Sequence, residues 1–136
     1  MCLAVYLASD IPVEEFAWDK NNPAFYLEET AASEPARKQF DGKYVYYAGS
    51  HQGCGCGFLK DGEPAEALNK SHADYNALAA VLRGALRRGA SLQLFTCWEG
   101  DQADEPESVQ PISVAALVSP PYELQQLQLL NVTGEA

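Results

Sequence analysis

Only one stretch of this chain carries an apolar period of helical type, and that restricts the fold more than any other feature. Tyr75, Leu78, Ala79, Leu82 and Leu86 recur at i, i+3, i+4, i+7 and i+11, which lines one face with apolar side chains and leaves Arg83 and Arg87 for solvent. Ser71 reads as the N-cap, Asp74 as the acid three residues on, and Arg87-Arg88 before Gly89 as the stop, so the spacing predicts a helix over about 72–88. A single amphipathic helix has to bury its stripe against something other than a second helix, and a sheet is the remaining partner.

The rest of the chain supplies the strands. Leu3 to Ala8 is a continuous apolar run too short for a helix and bounded by Ser9-Asp10 and Pro12, the pattern of a buried strand. Ala24-Phe25-Tyr26-Leu27-Glu28 follows an Asp-Lys-Asn-Asn-Pro turn signal and reads as an edge strand. Lys43-Tyr44-Val45-Tyr46-Tyr47-Ala48 is rich in β-branched and aromatic residues. Leu92 to Trp98 and Ile112 to Val118 read as a hairpin with a long acidic tip at Glu99–Glu107. Ser33 to Phe40 carries one or two helical turns before Asp41-Gly42. At the end, Ser119-Pro120-Pro121 suits a helix start, while Leu127-Gln128-Leu129 alternates and Val132 favours a strand.

With 136 residues at 47% hydrophobic, no internal repeat and no long linker, the expectation is one α+β domain over 1–136. A mainly antiparallel four- to six-stranded sheet packs against one main helix.

Chemistry concentrates in one place. Gly49-Ser50-His51-Gln52-Gly53-Cys54-Gly55-Cys56-Gly57 gathers one of two histidines and two of four cysteines into nine residues with four glycines, directly after the Lys43–Ala48 strand. Cysteines at i and i+2 on extended backbone stand about 6.6 Å apart at Cα, the outer edge of disulfide reach, so a bend at Gly55 would close only a small, strained and therefore labile ring. The same thiolates suit a soft metal such as zinc, with His51 as third ligand and Cys97 or Cys2 as fourth. The spacing departs from the usual zinc pattern, in which cysteines two to four residues apart pair with a second such pair elsewhere. Glycines that only make a tight reversal, and thiols that are only small hydrophobes, are the structural alternative.

Other constellations carry less. A phosphate loop would need its amides to run into a helix start, but Phe58 to Lys70 intervene and no Gly-Lys-Ser/Thr follows. His72 at the first turn of the expected helix is a partner for Cys54 or Cys56 only if the fold brings them together. The acidic run lacks the one-three-five spacing of a calcium loop. The opening Met1-Cys2 resembles glutamine amidotransferases that use an N-terminal cysteine. That resemblance would make Cys2 a nucleophile with its own α-amine as base, but it covers only the first few residues, and a strand cysteine is the expectation.

Nine Lys+Arg against nineteen Asp+Glu give a net charge of -10, which repels phosphate backbones and anionic lipid and argues against nucleic-acid and membrane partners. No segment approaches the ~18 apolar residues of a membrane helix, and no basic region precedes the first apolar run. The expectation is cytoplasmic, where cysteines serve as thiols, metal ligands or redox centres. The functional reading is then a small acidic protein that binds a soft metal, zinc foremost, through His51, Cys54 and Cys56 without catalysis. The alternatives are a thiol–disulfide protein cycling Cys54 and Cys56, and a protein-interaction or homo-oligomeric module using exposed aromatics around 44–48.

Overall fold

The structure, a computed structural model, describes residues 2–60, 63–119 and 122–134. Its centre is a six-stranded sheet formed by β1 (Leu3–Ser9), β2 (Tyr26–Glu29), β3 (Tyr44–Gly49), β4 (Leu92–Trp98), β5 (Ser108–Ser113) and β6 (Gln128–Thr133), in the order β2-β3-β1-β4-β6-β5. All neighbours are antiparallel except β5 and β6, which are parallel. The α+β expectation holds.

The central position of β1 explains its unbroken apolar run. All seven of its residues are buried, because alternate side chains serve two different cores. Leu3, Val5 and Leu7 face the main helix α1 (Ala65–Arg87), and Ala4, Tyr6 and Ala8 face the opposite side. A strand buried on both faces loses polar alternation and reads as continuous hydrophobicity. On the α1 side Tyr75, Leu78, Ala79 and Leu82 of the expected stripe are each at most 1% exposed, whereas its last member Leu86 is half-buried and Ala85 takes the buried place. On the far side Phe40 meets Phe95 edge-on at 6.4 Å. There the Gln39 amide donates to the carbonyls of Gln102 and Asp104 at 2.9 and 2.6 Å.

Three expectations are corrected. The helix begins at Ala65 rather than near His72, because Ala65-Glu66-Ala67-Leu68 are strong helix formers behind Pro64, with Glu66 in the first turn. Ser71 is therefore a mid-helix residue, 2% exposed, whose hydroxyl donates to the Leu59 carbonyl at 3.5 Å. β4 and β5 do not form a hairpin, since β6 lies between them. The apolar Leu129, Leu130 and Val132 of β6 take the inner position. β5 takes the edge, where Pro111 lacks a ladder donor and Val109 is 58% exposed. Ile112 to Val118 is not one strand either: it divides at Ser113, whose hydroxyl accepts the Ala116 N–H at 3.1 Å and caps the short helix α2 (Val114–Leu117). Of the helix start expected at 119–121, Pro120 and Pro121 lie outside the described residues.

Residues 33–40 hold a 3₁₀ turn at Pro35–Gln39. The aromatics of β3 belong mainly to the cores, with Tyr46 2% exposed and Tyr47 edge-on to Tyr6 at 5.6 Å. The exposed large aromatics are instead Phe16 and Trp18. Among the described residues no helix is long and apolar enough to cross a membrane.

Candidate metal centre

The glycine–cysteine loop leaves the end of β3, and four close approaches set its course. At Gly49 a Cβ would fall 2.0 Å from the Tyr26 ring, and the Tyr26 hydroxyl donates to the Gly53 carbonyl at 2.5 Å. Gly53 has a φ of +84°, in the left-handed region that glycine enters without penalty. A Cβ on Gly55 would lie 2.4 Å from the Leu3 carbonyl oxygen, and one on Gly57 would lie 2.2 Å from the Ser50 hydroxyl. The loop thus folds back onto the first residue of β1, and only bare backbone fits there.

Ser50 staples the reversal from inside. It is fully buried, its hydroxyl donates to the Cys54 carbonyl at 2.5 Å and accepts the Gly57 and Gln52 N–H groups at 2.9 and 3.2 Å. The far end is anchored by a 3₁₀ turn, Gly55–Phe58, whose Phe58 ring is fully buried between Phe25 and Tyr75. Such a loop is fixed by satisfied buried polar groups rather than left to solvent.

Its result is a cluster of three thiols. The Sγ atoms of Cys2, Cys54 and Cys56 all lie within 4.8 Å of one another. Cys2 is exposed and the other two are half-buried. Leu3 N–H donates to Cys56 Sγ at 3.2 Å, and Cys56 N–H donates to Cys54 Sγ at 3.5 Å. Cys2 is held from the other side, its carbonyl accepting the Glu99 N–H at 2.8 Å. Burial pushes the Cys54 thiol up to about 11, and hydrogen bonds with the Cys56 and Cys2 thiols act in the same direction against the pull of the Cys56 N–H. Metal-free, the cluster therefore stores protons that a soft cation would displace.

The cysteines of the loop meet neither of the histidines. His51 turns to α1: its backbone N–H donates to Asp74 Oδ1 at 2.9 Å, and its Nδ1 lies 2.5 Å from Oδ2 of that 2%-exposed carboxylate. The Trp18 indole donates to the His51 carbonyl at 3.3 Å. His51 is thus a pin between loop and helix, and the sulfur cluster that the structure assembles has Cys2 where the sequence reading put His51. Cys97 is fully buried on the far side of the sheet, opposite Ala4, and stands outside the cluster. Burial and then the nearby Glu99 and Asp101 push its thiol up to about 12. His72 sits in the second turn of α1 and also lies outside the cluster.

Cys2 was the residue that sequence reasoning undervalued. The signal was its place just before a strand: β1 and β3 are antiparallel with Tyr6 opposite Tyr47, and extending that register brings Cys2 level with His51, where the loop begins. Strand order cannot be read from spacing, so this adjacency could not be either. No family model, curated protein or solved structure matches the chain.

Proposed function

We propose that this protein binds one soft metal ion, zinc foremost, through Cys2, Cys54 and Cys56, and that the ion clamps the start of β1 to the loop without itself performing catalysis. The observation that carries the reading is the convergence of three sulfur atoms within 4.8 Å from chain positions far apart in sequence. Tetrahedral zinc with Zn–S bonds of ≈ 2.3 Å spaces its sulfurs about 3.8 Å apart, so closure onto an ion requires rotation of side chains rather than remodelling of backbone. The N–H groups of Leu3 and Cys56 already point at sulfur, which is the outer-shell support that steadies metal thiolates. A fourth position remains for solvent beside exposed Cys2.

The thiol–disulfide alternative has less support. A redox nucleophile needs a depressed thiol pKa, and burial moves Cys54 the other way. The test is metal content by mass spectrometry on protein purified without chelator, followed by zinc titration of wild type and the Cys2→Ser, Cys54→Ser, Cys56→Ser and Cys97→Ser variants. We expect about one zinc per chain. Each of the first three substitutions should weaken binding by more than about a hundredfold, beyond what outer-shell changes cost. Cys97→Ser should leave it unchanged. Metal-free protein whose melting temperature does not rise with added zinc overturns the proposal.

A further inference from the structure

The His51–Asp74 pair does more than pin the loop, because it also lines a cavity between α1 and residues 23–25. Lys70, Ala73, Asp74 and Ala77 follow at i, i+3, i+4 and i+7 and so share one helix face. Together with His51 and Phe25 they enclose 160 Å³, about five water volumes at roughly 30 Å³ each. Its lining is mainly apolar, completed by Pro23 and Ala24, and its polar members are His51, Asp74 and the exposed Lys70.

The hydrogen bonds determine what the polar members offer. Asp74 Oδ1 accepts the His51 backbone N–H and Oδ2 lies 2.5 Å from Nδ1; burial pushes this carboxyl up while the His51 contacts pull it down. With Nδ1 engaged by Asp74, Nε2 is the ring nitrogen left for a ligand. Among the described residues nothing hydrogen-bonds to Nε2, and it is not among the sealed, unpartnered polar atoms of the interior. The ring is held in place by the buried Asp74, and His51 is part of the cavity lining.

We infer that this cavity is a binding site for a short hydroxycarboxylate. The ligand hydroxyl donates to His51 Nε2, its carboxylate pairs with the Lys70 ammonium, and a chain of about three to five carbons, set by the available volume, lies between Phe25, Ala73 and Ala77. Small pockets of this kind bind by apolar walls and are made selective by a few placed polar groups. The site is separate from the thiol cluster and does not depend on a metal.

The experiment follows the His51 ring signals by NMR while titrating 2-hydroxybutyrate, butyrate and 1-butanol into the full chain. The expected result is a saturable shift with 2-hydroxybutyrate and at least about tenfold weaker binding of the acid without the hydroxyl and of the alcohol without the carboxylate, since each lost partner is worth about 1.4 kcal/mol or more by that ratio. Lys70→Ala, on the exposed rim, should bring 2-hydroxybutyrate down to the level of 1-butanol. Ala77→Leu should fill the space and abolish binding while the His51–Asp74 signals persist. Cys54→Ser should bind the ligand as wild type does, even with no zinc. No saturable shift, equal binding of the three probes, or undiminished binding to Lys70→Ala overturns the inference.

Discussion

Two irregular segments of this protein are dense in side chains that can hold a cation, and they end up in opposite conditions. Residues 49–58 carry two cysteines and a histidine; residues 99–107 carry five carboxylates. In the first, a buried serine, a tyrosine hydroxyl and a buried aspartate fix the backbone from three sides, and two sulfurs converge with a third from Cys2, just before β1. In the second, Gln39 donates to the carbonyls of Gln102 and Asp104, and the carboxylate of Glu99 is drawn in, accepting from the Gln102 side chain at 2.9 Å. The acidic side chains do not join any cluster of three ligand atoms among the described residues. Ligand number is therefore a poor guide to a site, and what matters is whether buried groups hold the ligands together against their own repulsion.

Matching substitutions in the two segments give the strongest test of that contrast. Gly55→Ala drives a Cβ into the backbone of Leu3 at 2.4 Å, and neither β1 nor the loop can yield easily. We expect a loss of about 2–3 kcal/mol of stability together with loss of zinc binding. Gly100→Ala meets nothing within 4 Å and suffers only from its φ of +104°, which costs about 1 kcal/mol. Urea unfolding of the two variants with unchanged m-values checks the ranking, and equal losses would break the comparison.

Ser50→Ala comes next. It strands the buried Gly57 N–H and removes the bond to the Cys54 carbonyl, at a cost of about 2 kcal/mol. Because that hydroxyl shapes the Cys54 turn, zinc affinity should fall as well. A stability loss that left zinc affinity intact would mean that the thiols converge without the staple.

These contacts explain how much could be read in advance. The α+β class, the strands at 3–8, 24–28 and 43–48 and the helix stripe are local patterns of period 2 or 3.6, and each survives into the structure with shifted ends. The hairpin of β4 and β5 failed because the inner place went to a strand from the chain's far end, a competition among β-segments that no local pattern records. The loop was conspicuous by composition, and Cys54 and Cys56 were recognised there. The cluster's third member depended on β1 lying beside β3, and the role of His51 depended on Asp74 facing it from α1. Both are long-range adjacencies, and sequence spacing carries no signal for them.

The pH dependence sharpens the comparison with a smaller effect. In metal-free protein Cys54 is raised to about 11 by burial, above its ordinary 9.0. The fold favours the protonated thiol, so this contribution to stability is complete below pH 9 and is lost as pH rises through 11. Tyr26 and Cys97, each raised to about 12, follow at higher pH. Zinc-loaded protein, with its thiolates already deprotonated, should be flatter than metal-free protein between pH 9 and 11, and Cys54→Ser should flatten the metal-free profile in the same window. Zinc affinity itself should climb with pH below 9, because binding releases thiol protons.

The smallest effect is expected where ligands are most numerous. Asp101→Asn with Asp104→Asn removes two charges from a chain that carries a net -10; Asp101 is half-buried and Asp104 exposed, and substitutions outside the core stay within about ±0.5 kcal/mol. Both carboxylates lie near Cys97, but they rank below burial among the causes that raise its thiol. The double variant should therefore lower the Cys97 pKa slightly without exposing the thiol to reagents, and zinc content should not change. Alkylation rates measured across alkaline pH, with unfolding followed in parallel, separate these readouts. A fall in zinc content would show that the acidic segment reaches the cluster through Glu99 and Cys2, whose backbones are hydrogen-bonded at 2.8 Å, and would make the two segments parts of one site.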